Sequence, residues 1–271
     1  MSAHQHIFEI IIIGFCTGLL SGAFGIGGGV VCTPLLRLFL GLSAHVAVGT
    51  TIAIIIPTSC TGAVNYFRKG LVDFKLALAI GIPAMLGVCF GAYATNLISG
   101  NALMISFACL VTFVGVDLTF GLLEKFTNKA KSEPDSDSDS NSDSMPISNP
   151  RPSRLKLALL GITTGLMAGF FGIGGGFILI PALVYLANMT LKEAFGTSLC
   201  VVSIVSIPGT ITHALLGHVD YWLMIVMMFT TVPASFLGSA IALRTKDSVL
   251  KKAFGIIMLI VAITMFFKEA S

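Results

Sequence analysis

A glycine motif occurs twice in this chain, 147 residues apart. Gly18-Leu-Leu-Ser-Gly-Ala-Phe-Gly-Ile-Gly-Gly-Gly29, leading to Pro34, returns as Gly165-Leu-Met-Ala-Gly-Phe-Phe-Gly-Ile-Gly-Gly-Gly176, leading to Pro181. Across 18–36 and 165–183, 11 of 19 positions are identical. The same offset pairs Gly49-Thr50 with Gly196-Thr197, Ser59 with Ser206, Gly62 with Gly209, Gly70 with Gly217 and Val72-Asp73 with Val219-Asp220. Two copies of one half-chain, each with a glycine break inside an apolar stretch, fit the plan of membrane carriers built from internal repeats.

Composition says what solvent the halves meet. The chain is 55% hydrophobic and 11% charged, where a water-soluble domain carries about 25% charged residues. Apolar runs set against breakers give ten segments: 7–24, 28–41, 45–66, 76–98 and 101–122, then 155–171, 175–187, 192–214, 221–243 and 249–267. Several reach the roughly 20 residues that cross a bilayer. In lipid such segments must be helical, because an open strand edge leaves backbone groups unpaired. The expectation is therefore an all-α integral membrane protein of two homologous helical halves, 1–122 and 154–271, each holding a glycine-broken helical hairpin. The arms 28–41 and 175–187 are short and are read as re-entrant or barely spanning. The N-terminus lacks a basic leader, so the first apolar run reads as a retained membrane segment.

Residues 123–153 differ sharply. The run Ser132-Glu-Pro-Asp-Ser-Asp-Ser-Asp-Ser-Asn-Ser-Asp-Ser144 followed by Pro146, Pro150 and Pro152 has almost nothing to bury. It reads as a disordered acidic linker in water.

Positive charge decides how the halves face, since cytoplasmic loops collect Lys and Arg. If each broken segment crosses the membrane, the halves are parallel and the 16 basic residues divide 10 against 6. If the chain turns back at the glycines, the halves are inverted and the division becomes 14 against 2, with Arg37 and Lys268 on the poor side. The inverted arrangement fits better. It puts the linker in the cytoplasm and both termini outside, in the cell membrane.

Gly25, Gly27, Gly28 and Gly29, with Gly172, Gly174, Gly175 and Gly176, cost about 1 kcal/mol each in a helix relative to alanine, so their duplication calls for a purpose. Glycine lets a backbone turn sharply and approach a ligand. The helix beginning after each break points its free N–H groups and positive dipole end at the break, which binds anions without a basic side chain. Hydroxyls and amides in the next segment add donors: Thr50, Thr51, Ser59 and Asn65 in one half, Thr197, Ser198, Ser206 and Thr210 in the other. Pro57 with Gly62 and Pro208 with Gly209 are expected to break those segments as well. His213, aligned with Tyr66, is a candidate for proton coupling, because an ionisable group in a membrane segment defaults to a functional reading. Asp73 and Asp220 read as helix N-caps. Small residues also pack helices together, so an isolated GxxxG carries less weight than the duplicated cluster.

Other chemistries find little support. The six cysteines lie in apolar segments with no CxxC and no neighbouring histidine pair, so no metal site, disulfide framework, cofactor or catalytic residue is expected. The net charge of +3 gives no nucleic-acid footprint. From Gly25 a dinucleotide loop would need its third glycine at Val30, and no strand–helix unit surrounds it.

At the paired motifs Gly22–Gly29 with Pro34 and Gly49-Thr50, and Gly169–Gly176 with Pro181 and Gly196-Thr197, the chain resembles the TauE/SafE sulfite exporter family, also called the 4-toluene sulfonate uptake permease family. The resemblance implies a multi-pass carrier of a small sulfur oxyanion such as sulfite or an organosulfonate. It implies a drive by an ion gradient, a proton or sodium, with the glycine motifs and adjacent hydroxyls as the binding region. The acidic linker is a departure from compact bacterial members. The rival readings are an anion channel built on the same helix ends, a redox enzyme using the thiols, and a scaffold signalling through the linker. The sequence sets no oligomeric state.

Overall fold

A computed structural model describes residues 7–120 and 153–270; the expected acidic linker lies almost wholly outside the described residues. The described residues form helices joined by short turns, with no strand among them. In chain order the helices are α1 (Ile7–Phe24), α2 (Gly29–Phe39), α3 (Ala44–Arg68), α4 (Phe74–Thr95), α5 (Gly100–Phe120), α6 (Arg154–Phe171), α7 (Gly176–Leu186), α8 (Leu191–Leu215), α9 (Tyr221–Arg244) and α10 (Asp247–Ala270). All ten expected segments are present. Seven of these helices are long and apolar enough to cross a membrane over their described residues: α1, α3, α4, α6, α8, α9 and α10. Large apolar side chains point outward along them, Phe90, Leu159, Phe229 and Ile263 among many. Such a surface is stable against lipid and would aggregate in water. The chain is a multi-pass integral membrane protein.

Helix starts follow from local chemistry. Ser43, Asp73, Ser153, Thr190 and Asp220 each accept a bond from a first-turn backbone N–H. Asp73 and Asp220 cap as their sequence positions imply, at 3.0 Å to Leu76 N and Leu223 N.

One expectation fails. Neither α3 nor α8 is interrupted at its proline; each runs unbroken for 25 residues through Pro57 or Pro208. Hydroxyls take up nearby carbonyls: Thr58 and Ser59 donate to Ile54 O and Ile55 O, Thr61 to Pro57 O, and Thr212 to Pro208 O. Each proline removes one N–H from its ladder, a loss that a membrane helix packed among neighbours absorbs.

The halves interlock. α1 packs along α9 and α6 along α4, so each half's first helix lies on the other half's fourth. The central pair is α3 against α8, and α5 pairs with α10. The crossings use the outer glycines of the repeat. Gly14, Gly18 and Gly22 lie against Thr230, Thr231 and Ser235, and Gly161, Gly165 and Gly169 lie against the carbonyls of Ile80, Ala84 and Val88. At each a Cβ would overlap its neighbour, so only glycine permits the approach.

α2 turns back on α1. Gly28 sits against Thr17 and Ser21, and one helical turn on, Cys32 lies beside Thr17. Leu36 then joins Ile10 and Ile13 in one apolar cluster. α1 and α2 are therefore a hairpin, and α2 covers about 16 Å at 1.5 Å per residue. Backbone contacts tie matching ends together: Asp73 N donates to Thr197 Oγ1 at 3.1 Å, and Asp220 N to Thr50 Oγ1 at 2.9 Å. The α3–α4 turn thus shares one end of the molecule with the start of α8, and the α8–α9 turn shares the other with the start of α3. This arrangement is compatible with inverted halves.

Candidate functional site

Both breaks are built alike. α1 ends at Phe24 and α2 begins on Gly28 at φ 84°, ψ −9°; α6 ends at Phe171 and α7 begins on Gly175 at φ 77°, ψ −6°. A left-handed residue at a helix start reverses the chain within four residues, and L side chains avoid that conformation.

The breaks meet in the middle of the molecule. A Cβ on Gly29 would lie 2.5 Å from Gly172 O and Ile173 Cα, and one on Gly176 would lie 2.8 Å from Gly25 O and Ile26 Cα. Gly27 and Gly174 converge on one pair of side chains: Cβ atoms on them would lie 2.7 and 2.8 Å from Val202 Cγ1 and 3.0 and 3.5 Å from Ile55 Cγ2. Ile55 and Val202 are repeat equivalents midway along α3 and α8, which is compatible with a local twofold relation at this point. All ten residues of 25–29 and 172–176 are buried, which closes the centre in this conformation.

The polar inventory there is unusual. Neither α2 nor α7 has a side-chain cap, unlike the starts of α3, α4, α6, α8 and α9. Around them stand buried hydroxyls with no hydrogen-bond partner. Thr17 and Ser21 flank Gly28, their Cγ2 and Cβ 2.9 and 3.1 Å from where a Gly28 Cβ would stand; Thr164 flanks Gly175, and Ser198 Oγ lies 3.0 Å from where a Gly176 Cβ would stand. Thr51 joins them, and it and Thr17 both lie against the Cys32 thiol with no oxygen or nitrogen partner. A thiol is a weak hydrogen-bonding group, so those contacts leave the hydroxyls' capacity largely unspent. Most membrane hydroxyls bond their own helix, as Thr58, Thr61, Thr112 and Thr264 do here. Each buried orphan costs about 1–3 kcal/mol, so the cluster at two uncapped helix ends holds costly, unspent hydrogen-bonding capacity.

The other candidates lie elsewhere. Thr50 and Thr197 hold the backbone N–H groups of Asp220 and Asp73 and so tie helix to turn. Asn65 donates to Phe236 O and Ser239 Oγ at 2.8 and 2.7 Å, which fixes α3 on α9. Ser59 Oγ meets Ser203 Oγ at 2.8 Å across the central helix pair. Ser206 and Thr210 on α8 are orphaned, with Ser206 fully buried. Thr17, Ser21 and Thr164 were not read from the sequence as site residues. The available signal was that Thr17 and Thr164 precede the paired Gly18 and Gly165 at the same offset.

His213 Nε2 lies 2.9 Å from Gly169 O, which can only accept, so Nε2 carries the proton. Its Nδ1 faces His218 Nδ1 at 3.2 Å, and the His45 ring lies 5.2 Å from that of His218. Tyr66 does the same work in the first half, donating to Gly22 O and Ala23 O at 3.2 Å. In the turn after α8, burial first and His45 second hold the His218 pKa below the usual histidine range. At the other end Lys192 Nζ lies 3.6 Å from Asp247 and donates to Leu243 O.

Comparison with known proteins places this geometry in context. A family model described as "Sulfite exporter TauE/SafE" matches residues 10–265. A "Probable membrane transporter protein" of Xylella fastidiosa (strain 9a5c) is 28% identical over 95% of this chain and 92% of its own length. "Probable membrane transporter protein YunE" of Bacillus subtilis (strain 168) is 27% identical over 94% and 93%. "Probable membrane transporter protein MJ0441" of Methanocaldococcus jannaschii is 27% identical over 84% of each chain. No solved structure matches the chain.

Proposed function

The chain belongs to the TauE/SafE sulfite exporter family, and on that premise we propose that it is a secondary transporter carrying a small sulfur oxyanion, sulfite or an organosulfonate, by alternating access. The observation that carries this reading is the meeting of two uncapped helix starts at the centre of the molecule, ringed by buried hydroxyls that have no partner. Backbone N–H groups and hydroxyls donate, and an oxyanion only accepts, so the chemistries match. The helix dipoles add a positive potential that low-dielectric surroundings screen weakly.

In this reading the halves 1–122 and 154–271 are inverted repeats that rock about the glycine breaks. The linker 123–153 is cytoplasmic, both termini lie outside, and the protein resides in the cell membrane. The shared ends at Asp73–Thr197 and Asp220–Thr50 and the 14-to-2 division of basic residues support that orientation. Burial of both breaks supports a carrier over a channel, because a carrier must pass through a closed centre whereas a conducting channel needs a continuous path. Transport is ion-coupled, to a proton or to sodium. His213 is the proton-carrying candidate, since its imidazole joins the end of α6, just before the second break, to His218 near the protein surface.

The test is flux in liposomes holding the purified protein. Radiolabelled sulfite, methanesulfonate and sulfate are offered with and without imposed pH or sodium gradients. Saturable, gradient-driven accumulation of sulfite or methanesulfonate is expected. Flux that never runs uphill assigns a channel, and no flux of either probe removes the substrate reading.

A further inference from the structure

The two helix starts are matched in backbone and unequal in side chains. In the first half Thr17, Ser21 and Thr51, each 1% exposed or less, gather at the start of α2, Ser21 with no hydrogen-bond partner and Thr17 and Thr51 with none beyond the weak thiol of Cys32. Thr17 and Ser21 flank its N-cap Gly28, at 2.9 Å to Thr17 Cγ2 and 3.1 Å to Ser21 Cβ from where a Cβ would stand. Thr17 and Thr51 flank the thiol of Cys32 in the following turn. Equivalent positions in the second half hold Thr164, Ala168, Ser198 and Leu179. One of the three hydroxyls is replaced by a methyl group and the thiol by an isobutyl group. The next position along repeats the contrast, with orphaned, buried Thr33 against Ile180.

From this inequality we infer that the oxyanion is seated at the first-half helix start, on Thr17, Ser21 and Thr51 and the first N–H groups of α2, while the second-half start closes over it as an apolar cover. This rests on the oxyanion reading above and sharpens it from a symmetric pair of sites to one seat. Three hydroxyl donors suit a group with three terminal oxygens, which sulfite and the sulfonate head both present. The cover fits too: Phe177, Leu179 and Ile180 of α7 are fully buried apolar side chains, and Gly176 already touches the backbone of Gly25 and Ile26.

The test uses the purified full-length chain and its thermal stabilisation by sulfite, thiosulfate, methanesulfonate and sulfate. Ser21→Ala installs the second half's own residue, and Thr51→Val removes a second donor while keeping shape. Each is expected to raise the half-saturating sulfite concentration at least tenfold. Ser198→Ala, the second-half counterpart, is expected to raise it by no more than a third of that factor. Ala168→Ser gives the second half its missing hydroxyl and is expected to shift it less than twofold. This last variant keeps the test alive should the first-half substitutions fail to fold. Equal effects of Ser198→Ala and Thr51→Val, or several-fold tightening by Ala168→Ser, overturn the single-seat inference and leave the oxyanion reading standing. A wild-type chain stabilised by none of the four anions overturns both.

Discussion

Tyr66 and His213 stand 147 residues apart and hold equivalent carbonyls, Gly22 O and Gly169 O, with different chemistry. A phenol there is a fixed latch, whereas an imidazole can also take a proton. His213→Gln keeps a donor toward Gly169 O and cannot titrate. The expected outcome is a folded protein whose sulfite flux no longer varies with pH; an unchanged pH profile removes the coupling role. His218 gives a second pH effect, on stability. Its folded pKa is depressed, so the unfolded chain takes the proton first, and stability is lost as pH falls below the ordinary histidine value of about 6.5. The melting temperature is expected to drop between pH 8 and pH 5, and His218→Gln to flatten that drop. Thr50 and Thr197 show where residue-level reading of the sequence stops. Their pairing across the repeat was visible, but their direction was not, because a helix's rotation about its own axis is set by packing. Each serves a backbone N–H at the opposite half's turn. Thr50→Val or Thr197→Val should destabilise the protein by about 1 kcal/mol, read as a lower melting temperature, through the part-buried N–H that loses its acceptor.

At the scale of helices, one repeated glycine motif divides into two tools. Gly18, Gly22, Gly165 and Gly169 bring crossing helices together, and Gly25–Gly29 with Gly172–Gly176 reverse the chain. The sequence carried both readings at once, since glycine offers close approach and unusual backbone angles in the same residue. Helix positions were legible because lipid forces every apolar run of sufficient length into a helix, and Gly41, Gly70 and Gly217 punctuate the ends. Pro57 and Pro208 misled, because a proline removes a single N–H from the ladder, and packing against neighbouring helices, which the sequence does not display, holds the rest of the helix together. The division also sorts substitutions. Gly28→Leu and Gly175→Leu place a branched side chain on a left-handed residue within 2.9 Å of Thr17 or Thr164. Both are expected to insert into membranes as the wild type does, since insertion follows hydrophobicity, and to show sulfite flux below a tenth of wild type.

Over the whole molecule, duplication, charge placement and interlocked halves describe one object. α1 on α9 and α6 on α4 mean that each half's first helix makes its most extensive packing with the other half. Movement between the halves must therefore shear long seams of glycine contacts or pivot at the central breaks. The orientation is open to direct labelling. In a chain freed of its native cysteines, Ser140→Cys in the linker and Ser248→Cys in α10 are expected to react with an impermeant reagent from the cytoplasmic side alone. Labelling from opposite faces would assign parallel halves. The central claim is that the paired glycine breaks bind the transported anion. It is tested most directly by uphill accumulation of radiolabelled sulfite in liposomes carrying wild type, Gly28→Leu or Gly175→Leu at equal protein content. The account predicts saturable accumulation for wild type and none for either variant; wild-type accumulation in both variants would contradict it.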